Sequence, residues 1–146
     1  MQTLPLKHIF VYGTLRQGEL NDINSLLPAP DWIGLGSVQG LLYNLGAYPG
    51  LRLNVEGGCM VKGEVYAIGA DLEQRLDQIE EVWPQQTGEY AKREIEVQLT
   101  RSSVLDPSQT NEKLICLVYE ISTDRIVGKP IITNGDWVLY RHSRSR

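Results

Sequence analysis

Histidine and cysteine are scarce in this chain, with two of each among 146 residues. Cys59 and Cys116 lie far apart in the sequence, and neither belongs to a Cys-x-x-Cys pair. Zinc sites draw on closely spaced cysteines and histidines, so the composition predicts no zinc site. It predicts instead two reduced, half-buried thiols, as is usual for cytosolic proteins.

Long apolar runs are also missing. The longest, Leu114 to Tyr119, is far shorter than the roughly 20 residues that a membrane-spanning helix needs. The N-terminus has no apolar core followed by a small-residue cleavage site, so it does not resemble a secretory signal. We therefore predict a cytoplasmic protein that has no membrane partner.

Basic residues are outnumbered, because 14 Lys and Arg stand against 18 Asp and Glu, for a formal net charge of −4. Three of the arginines lie in the segment 141–146, which leaves the rest of the chain more acidic still. A nucleic-acid surface needs a basic face, so no nucleic-acid partner is expected. We predict that residues 1–140 form one domain and that the basic tail 141–146 is frayed.

Short apolar stretches separated by Gly, Pro and Asn dominate the sequence, a pattern typical of β-strands. The stretches 38–45 and 61–68 share the pattern Val-x-Gly-x-x-Tyr-x-aliphatic, with a glycine where a barrel or strongly coiled sheet bends. Residues 101–113 have little to bury and are predicted to form an exposed loop. Strands are predicted at 8–11, 38–45, 61–68, 95–99, 114–121 (a central strand buried on both sides) and 137–140.

Two segments favour a helix. The first, Leu20 to Leu27, is short. The second begins at Leu72, with Asp71 as its N-cap, and ends near Val82 before a proline.

The second predicted helix has one apolar stripe, which includes Leu76 and Ile79 and should face the core. At about 100° per residue, Glu80 lies about 75° from the centre of that stripe. Asp77 and Glu81 point well away from it. Glu80 is therefore the acid of this helix best placed to reach inward.

The sequence contains none of the common nucleotide-binding or nucleophile motifs. It lacks a Gly-x-x-x-x-Gly-Lys-Ser/Thr loop, a correctly spaced Gly-x-Gly-x-x-Gly and a Gly-x-Ser-x-Gly elbow. With histidine and cysteine so sparse, histidine-assisted nucleophilic catalysis is disfavoured too. Carboxylates and main-chain amides remain as the candidate functional groups.

The segment Phe10 to Asn21 is the most informative for function. A strand runs into a tight turn at Gly13, and the main-chain amides that follow such a turn can converge on an anion. A ligand carboxylate could bind there. The alternative is an ordinary strand end with a glycine turn, which the spacing alone does not exclude.

Glu80 is the second candidate. Desolvation beside the apolar stripe and the partial negative charge of a helix C-terminus both disfavour its charged form, so its pKa should rise. A raised pKa suits a general base that works near neutral pH. The alternative is a rim carboxylate paired with Lys or Arg.

Arg93 is the third candidate. If the alternation of the strand 95–99 continues, Arg93 points inward and must meet a carboxylate. That carboxylate belongs either to a ligand or to the protein, and a structural ion pair is the preferred interpretation.

Three tyrosines complete the set. The stretch Gly46 to Gly50 predicts a type II turn with Pro49 at its second position. Beside this turn, Tyr48 either walls a cavity or covers the sheet edge. Tyr90 and Tyr119 offer hydroxyls either to a ligand or to the core.

Together these segments resemble the γ-glutamylamine cyclotransferase-like proteins of the γ-glutamylcyclotransferase superfamily. The resemblance implies an α+β fold, a small mixed β-barrel flanked by a few short helices, with a ligand cavity at one end. The motifs follow the family's order across most of the chain: Val11-Tyr-Gly-Thr-Leu-Arg16, Gly46-x-Tyr-Pro49, Val61-x-Gly-Glu-Val-Tyr66, Leu76-Asp-x-x-Glu80, Tyr90-x-x-Arg93, Val118-Tyr119 and Gly135-Asp-Trp137.

The resemblance also implies a reaction and the residues that carry it. The α-amine of a small γ-glutamyl amine or amino acid would attack its own side-chain carbonyl, releasing 5-oxoproline and a free amine without a metal or cofactor. Glu80 falls on the family's catalytic glutamate, which would act as general acid and base. Candidate substrate-binding residues are Tyr12, Gly13, Thr14, Leu15, Tyr48, Tyr90, Arg93 and Tyr119.

Two features of the chain differ from the family pattern. Glu81 stands where many relatives have Gly, and the connection 82–89 is longer than in some of them, so the sequence does not predict the pocket rim or the leaving amine. The oligomeric state is not predicted either. Two other interpretations stay open. One is a non-catalytic module that binds a γ-glutamyl metabolite in the same cavity; the other, less supported, is an amidase with a covalent intermediate, for which no activated Ser or Cys is visible.

Overall fold

The computed structural model of the chain describes residues 7–53, 58–80, 88–100 and 112–144. The main elements are β1 (Lys7–Val11), β2 (Asp31–Asn44), β3 (Pro49–Leu53), β4 (Cys59–Ile68), α1 (Ala70–Ile79), β5 (Tyr90–Thr100), β6 (Glu112–Ile121) and α2 (Trp137–Arg144). Two short 3-10 helices are also described, at Ile23–Ser25 and Thr123–Arg125.

Five of the strands close into a barrel. The sheet order is β3-β2-β4-β1-β6-β5, and β5 pairs back with β2 where Gly36 faces Leu99, which closes the ring. Strand β3 stays outside the ring as the hairpin partner of β2. The β1–β6 pair is parallel and the other pairs are antiparallel. The predicted small mixed barrel with a few short helices is confirmed.

The glycines of the two related stretches permit close approach of neighbouring backbone. Strands β2 and β4 pair antiparallel, with Val38 opposite Val61. A Cβ added at Gly40 would lie 2.4 Å from the carbonyl oxygen of Arg52, and one at Gly63 would lie 2.3 Å from a β1 carbonyl oxygen. The strands can therefore cross at these points only where no side chain intervenes.

Buried side chains form two clusters on either side of the sheet. The first cluster contains Phe10 and Val118 and includes Trp137 from α2. The second contains Leu117 and joins the sheet to α1 and the loop after β1. Successive β6 residues thus enter different clusters. Residues 116–121 are all buried, which confirms the predicted central strand over this range, but Leu114 is half-buried and Ile115 is exposed.

Helix α1 begins and ends earlier than its sequence pattern predicts. Gly69 is the N-cap, without a side-chain cap, and Asp71 lies inside the first turn, where its charge complements the helix dipole. Glu80 is the C-cap residue. Asp77, predicted to point away, is only 8% exposed because its carboxylate contacts a lysine and a tyrosine hydroxyl. Glu81 and Val82 lie outside the described residues.

The strand predicted at 137–140 is wrong, because these residues begin helix α2. The predicted turn at Gly135 is present, with a φ of 66°, but it leads into a helix. Asp136 accepts a hydrogen bond from the amide of Leu139 at 3.1 Å, as an N-cap residue does. The helix continues through Arg144, so residues 141–144 of the tail predicted to fray are helical, whereas residues 145 and 146 lie outside the described residues.

Two shorter predictions are also corrected. The helix predicted at 20–27 is reduced to the 3-10 turn Ile23–Ser25, because Asp22 accepts from nearby main-chain amides and competes with helix formation. The type II turn at Pro49 is replaced by a turn closed by the Leu45 amide and the Tyr48 carbonyl at 3.0 Å, since Pro49 already begins β3.

The thiols and the rest of the predicted loop complete the fold. Cys59 and Cys116 are free, and Cys116 is buried, which raises the pKa of its thiol to about 12. Residues 112 and 113 belong to β6, and the remainder of the loop predicted at 101–113 lies outside the described residues. In the described part of the chain, no helix is long and apolar enough to cross a membrane.

Gly63→Ala tests the close contact between β4 and β1. The added Cβ would meet the Val11 carbonyl oxygen at 2.3 Å and the ring of Phe10 at 2.7 Å. We therefore expect the free energy of unfolding to decrease by at least about 2 kcal/mol. Urea unfolding measures this change. Lys62→Ala, on the exposed face of the same strand, should stay within about 0.5 kcal/mol of the parent; equal effects of the two variants would contradict the packing argument.

Candidate active site

One cavity of about 280 Å³ opens where the loop after β1, the β2–β3 turn and the end of α1 meet. Its volume is at the small end of the range for ligand sites. Eight of the nine residues that the sequence singled out line it together: Tyr12, Gly13, Thr14, Leu15, Tyr48, Glu80, Tyr90 and Tyr119.

The loop after β1 uses its carbonyl groups inside the protein. The Gly13 carbonyl accepts from the Arg16 amide at 3.0 Å, the Thr14 carbonyl from Asn21 at 2.9 Å, and the Leu15 carbonyl from a later amide at 2.9 Å. Among the described residues, the amides of Gly13, Thr14 and Leu15 meet no hydrogen-bond acceptor. Buried amides are rarely left unpaired, so these three N–H groups are suited to an acceptor on a ligand.

Gly13 is required where the loop meets the cavity wall. A Cβ at this position would lie 2.6 Å from Cγ and 2.8 Å from Cδ of Pro49. The β2–β3 turn can therefore approach the loop only because residue 13 has no side chain.

A buried ion pair anchors this loop to the barrel. Nε of Arg16 lies 3.1 Å from Oε2 of Glu64, and its Nη1 lies 3.0 Å from Oδ1 of Asp136. The second Glu64 oxygen accepts from the Gln17 amide at 2.9 Å and from the Tyr66 hydroxyl at 2.8 Å. Neither Arg16 nor Glu64 was among the residues predicted for the site. The sequence did contain a signal for this pair, because Glu64 lies within an apolar strand and a buried carboxylate needs a cation nearby.

Tyr12 and Tyr90 belong to the cavity wall and donate to main-chain carbonyls. The Tyr12 hydroxyl donates to the carbonyl of Tyr119 at 2.7 Å and accepts from the Leu51 amide at 3.3 Å. The Tyr90 hydroxyl donates to the carbonyl of Pro49 at 2.9 Å. The two residues are thus held by the barrel as well as facing the cavity.

Tyr48 and Tyr119 donate to carboxylates. The Tyr48 hydroxyl donates to Glu89, which also lines the cavity. The Tyr119 hydroxyl donates to Oδ1 of Asp77 at 2.7 Å. Of the two predicted alternatives for Tyr48, the structure favours the cavity wall.

Glu80 is half-buried and caps α1, and its amide donates to the Leu76 carbonyl at 2.9 Å. Burial is the main reason that the pKa values of Tyr12, Tyr90 and Tyr119 lie above their usual range, and the charge of Glu80 raises each further. The carboxylate therefore lies within electrostatic reach of these hydroxyls. The predicted rise in the pKa of Glu80 itself stays a prediction.

Arg93 does not line the cavity, and its predicted inward orientation is wrong. Its side chain is 56% exposed, and its Nε lies 3.2 Å from Oε1 of Glu120. Glu120 also accepts from the amide of Leu53 at 2.9 Å. Burial along this face of β5 decreases from Val97 through Ile95 to Arg93, so the arginine reaches its partner from the solvent side. The preferred alternative, a structural ion pair, is confirmed.

Two polar residues that the sequence analysis did not propose for the site, Asn21 and Glu89, also line the cavity. The Asn21 amide nitrogen donates to Oγ1 of Thr14 at 3.2 Å. Glu89 directly precedes Tyr90, and Asn21 belongs to the segment Phe10 to Asn21. Their nearness in sequence to predicted site residues was the one signal that could have identified them. In the described ranges, no cluster of three or more His, Cys, Asp or Glu side chains could hold a metal ion.

Comparison with known protein families agrees with this arrangement. The family model described as "Gamma-glutamyl cyclotransferase, AIG2-like" matches residues 9–139. The chain belongs to this family. The match begins within β1 and ends in the first turn of α2.

Two AIG2-like relatives of known name align with about half of the chain. A Vibrio cholerae protein provisionally named gamma-glutamylcyclotransferase is 43% identical over 76 residues, which is 51% of this chain and 62% of that protein. The gamma-L-glutamyl-butirosin B gamma-glutamyl cyclotransferase of Niallia circulans is 37% identical over 86 residues, 54% of this chain and 53% of that protein. The alignments thus cover less than two thirds of either relative.

A solved structure shows the same fold. The crystal structure of YkqA from Bacillus subtilis superposes with a TM-score of 0.70 and is 27% identical in sequence. The match covers 97% of this chain and 44% of YkqA. The AIG2-like barrel described here is therefore shared with part of a longer protein.

Arg16→Met tests the anchor of the loop. Removing the guanidinium leaves Glu64 buried without its cation, so we expect a loss of about 3 kcal/mol in the free energy of unfolding. Urea unfolding is the measurement. Lys113→Met is the control, because Lys113 lies 3.8 Å from Glu96 and both side chains are more than half exposed; it should cost at most about 0.5 kcal/mol. Equal costs would show that the buried pair does not hold the loop.

Proposed function

We propose that this chain is a γ-glutamyl cyclotransferase that converts a small γ-glutamyl amine or amino acid into 5-oxoproline and a free amine. One observation carries the proposal: Glu80 borders the same cavity as the amides of Gly13, Thr14 and Leu15, which meet no acceptor in the part of the chain that the structure describes. The family and the names of its relatives support this class of reaction. The Niallia circulans relative is named for a γ-glutamyl compound, γ-L-glutamyl-butirosin B, as its substrate.

The amides of the loop are proposed to bind anionic oxygen. Three successive N–H groups suit either the α-carboxylate of the γ-glutamyl group or the oxyanion that forms at its δ-carbon. Gly13 keeps this loop against Pro49, so the donors are positioned before the substrate arrives. Preorganised donors stabilise developing charge without reorganising during the reaction.

Glu80 is proposed to move the protons. It accepts one from the α-ammonium group, and the freed nitrogen lone pair attacks the δ-carbonyl carbon to form the C–N bond of the five-membered lactam. As the tetrahedral intermediate collapses, the bond from this carbon to the leaving nitrogen breaks. Glu80 returns the proton to that nitrogen, and the ring nitrogen releases its second proton to solvent. A neutral amine therefore departs, the lactam is uncharged at nitrogen, and the Glu80 carboxylate is regenerated.

The small cavity contributes by holding the substrate folded. A γ-glutamyl chain in solution samples many extended shapes in which the amine and the carbonyl are far apart. A cavity of about 280 Å³ favours shapes in which they are close. Fixing such a near-attack conformer lowers the entropic part of the barrier.

Glu80→Gln tests the catalytic role. Glutamine keeps the size of the side chain but cannot accept the ammonium proton, so we expect the rate of 5-oxoproline release to fall at least about 1,000-fold. A panel of γ-glutamyl amides, assayed for 5-oxoproline with the thermal midpoint checked in parallel, provides the measurement. Asp71→Asn, an exposed acid on the same helix, should retain the parent rate.

Two outcomes would contradict the proposal. A parent protein that releases no 5-oxoproline from any substrate of the panel, but binds one of them, would favour a non-catalytic module. Full activity in Glu80→Gln would move the proton transfer to another group.

Gly13→Ala tests the binding role of the loop. The methyl group would overlap the ring of Pro49 and move the amides from their positions, so we expect kcat/KM for an accepted γ-glutamyl amide to fall at least tenfold. Steady-state kinetics measure the change. Gln17→Ala, an exposed side chain of the same loop, is the matched control; unchanged kinetics in Gly13→Ala would remove the loop from the site.

A further inference from the structure

Asp77 is a buried acid one helical turn before Glu80, in the motif Leu76-Asp-x-x-Glu80. One carboxylate oxygen accepts from the Tyr119 hydroxyl at 2.7 Å. The other lies 2.8 Å from Nζ of Lys92. Asp77 therefore joins α1 to both β5 and β6, directly beneath a residue of the cavity wall.

The contact with Asp77 decides which way the Tyr119 hydroxyl can act. An ionised carboxylate only accepts hydrogen bonds, so the hydroxyl proton of Tyr119 is committed to Asp77. Tyr119 lines the cavity, and its oxygen can then offer an occupant only a lone pair. Tyr90 is similar, because its proton is committed to the carbonyl of Pro49.

The lining of the cavity consequently combines two sets of groups of opposite hydrogen-bonding character. The first set is the N–H groups of Gly13, Thr14 and Leu15, which are donors. The second set is tyrosine oxygens and the carboxylate of Glu80, which are acceptors. A zwitterion matches both, since its carboxylate needs donors and its ammonium group has only donors to give.

We propose that Asp77 is a positioning residue: by accepting the Tyr119 hydroxyl proton, it keeps the Tyr119 oxygen as an acceptor for the α-ammonium group of the γ-glutamyl substrate. This inference rests on the proposed function for the identity of the substrate. It assigns to Tyr119 the recognition of the same nitrogen that Glu80 deprotonates.

Lys92 makes the inference testable with a single substitution. In Asp77→Asn, the ammonium group of Lys92 can only donate, so the new amide must turn its oxygen toward Lys92. Its NH2 group then faces Tyr119 and donates to the hydroxyl oxygen. The Tyr119 proton is displaced toward the cavity, where it meets the donors of the substrate ammonium group.

A merely structural role for Asp77 makes a different prediction. Glu73 on the same helix also pairs with Lys92, at 2.7 Å, and with Lys7, and within the described ranges its hydrogen bonds reach no residue that lines the cavity. Glu73→Gln therefore removes a comparable ion pair between α1 and β5 while the Tyr119 hydrogen bond stays. It is the matched control for the attachment of the helix.

The experiment compares the equilibrium binding of L-glutamine and glutaramate, which is the same molecule without its α-amine, by titration calorimetry. We expect the parent protein and Glu73→Gln to bind L-glutamine about tenfold more tightly than glutaramate, as a hydrogen bond to a charged group would give. Asp77→Asn and Tyr119→Phe should lose this preference and retain the affinity for glutaramate. The double variant should show no further loss.

Three results would overturn the assignment. One is an unchanged preference in Asp77→Asn or Tyr119→Phe, another is an equal loss of affinity for both ligands, and the third is a parent protein that binds neither. The comparison measures binding, and a 5-oxoproline assay of the titrated samples shows whether L-glutamine, which is itself a γ-glutamyl amide, is consumed. Loss of 5-oxoproline release in Glu80→Gln together with an unchanged preference in Asp77→Asn would defeat this inference alone, whereas a parent protein with the preference but without turnover would defeat only the proposed function.

Discussion

The buried ion pair between Arg16 and Glu64 is the constraint on which the site depends. Both residues are less than 10% exposed, and an unpaired charge at either position would be costly. Because Glu64 also accepts from the Gln17 amide and the Tyr66 hydroxyl, the loop after β1 is fixed to β4 by several contacts. The carbonyl groups of the loop are consumed inside the protein, which leaves its amides for a ligand.

The barrel gives this loop its counterpart. Strand β6 supplies Tyr119, the β2–β3 turn supplies Tyr48, and α1 ends at Glu80, so residues distant in the sequence share one small cavity. The α1 helix is attached to the sheet through Asp77 and Lys92, which relates the position of the helix end to the hydroxyl of Tyr119. The contacts of Asp77 thus hold both the end of the helix that carries Glu80 and the hydroxyl of Tyr119 in the cavity wall.

Sequence and structure agree most closely where local pattern and tertiary packing require the same thing. The strands around residues 61–68 and 116–121 were predictable because their apolar residues are buried whichever strands pair with them. The segment 137–140 was not, because an apolar run of four residues fits a strand or a helix equally well. The N-cap contact of Asp136 and the packing of Trp137 decided for the helix. Asp77 was wrongly predicted to point away from the core for a related reason, since its burial depends on partners from β5 and β6.

The sequence by itself determined the class of fold, through its resemblance to the family, the glycine turn after β1, and eight of the residues that line the cavity, out of nine predicted for the site. These follow from short motifs and residue types. Only the tertiary structure decided which of them carry charge partners. Arg93 matched the motif but faces Glu120 from solvent, whereas Arg16, Glu64 and Asp77 became part of the site through contacts between distant strands. A carboxylate or guanidinium is defined by the groups that surround it, and pairing of strands far apart in the chain places those groups.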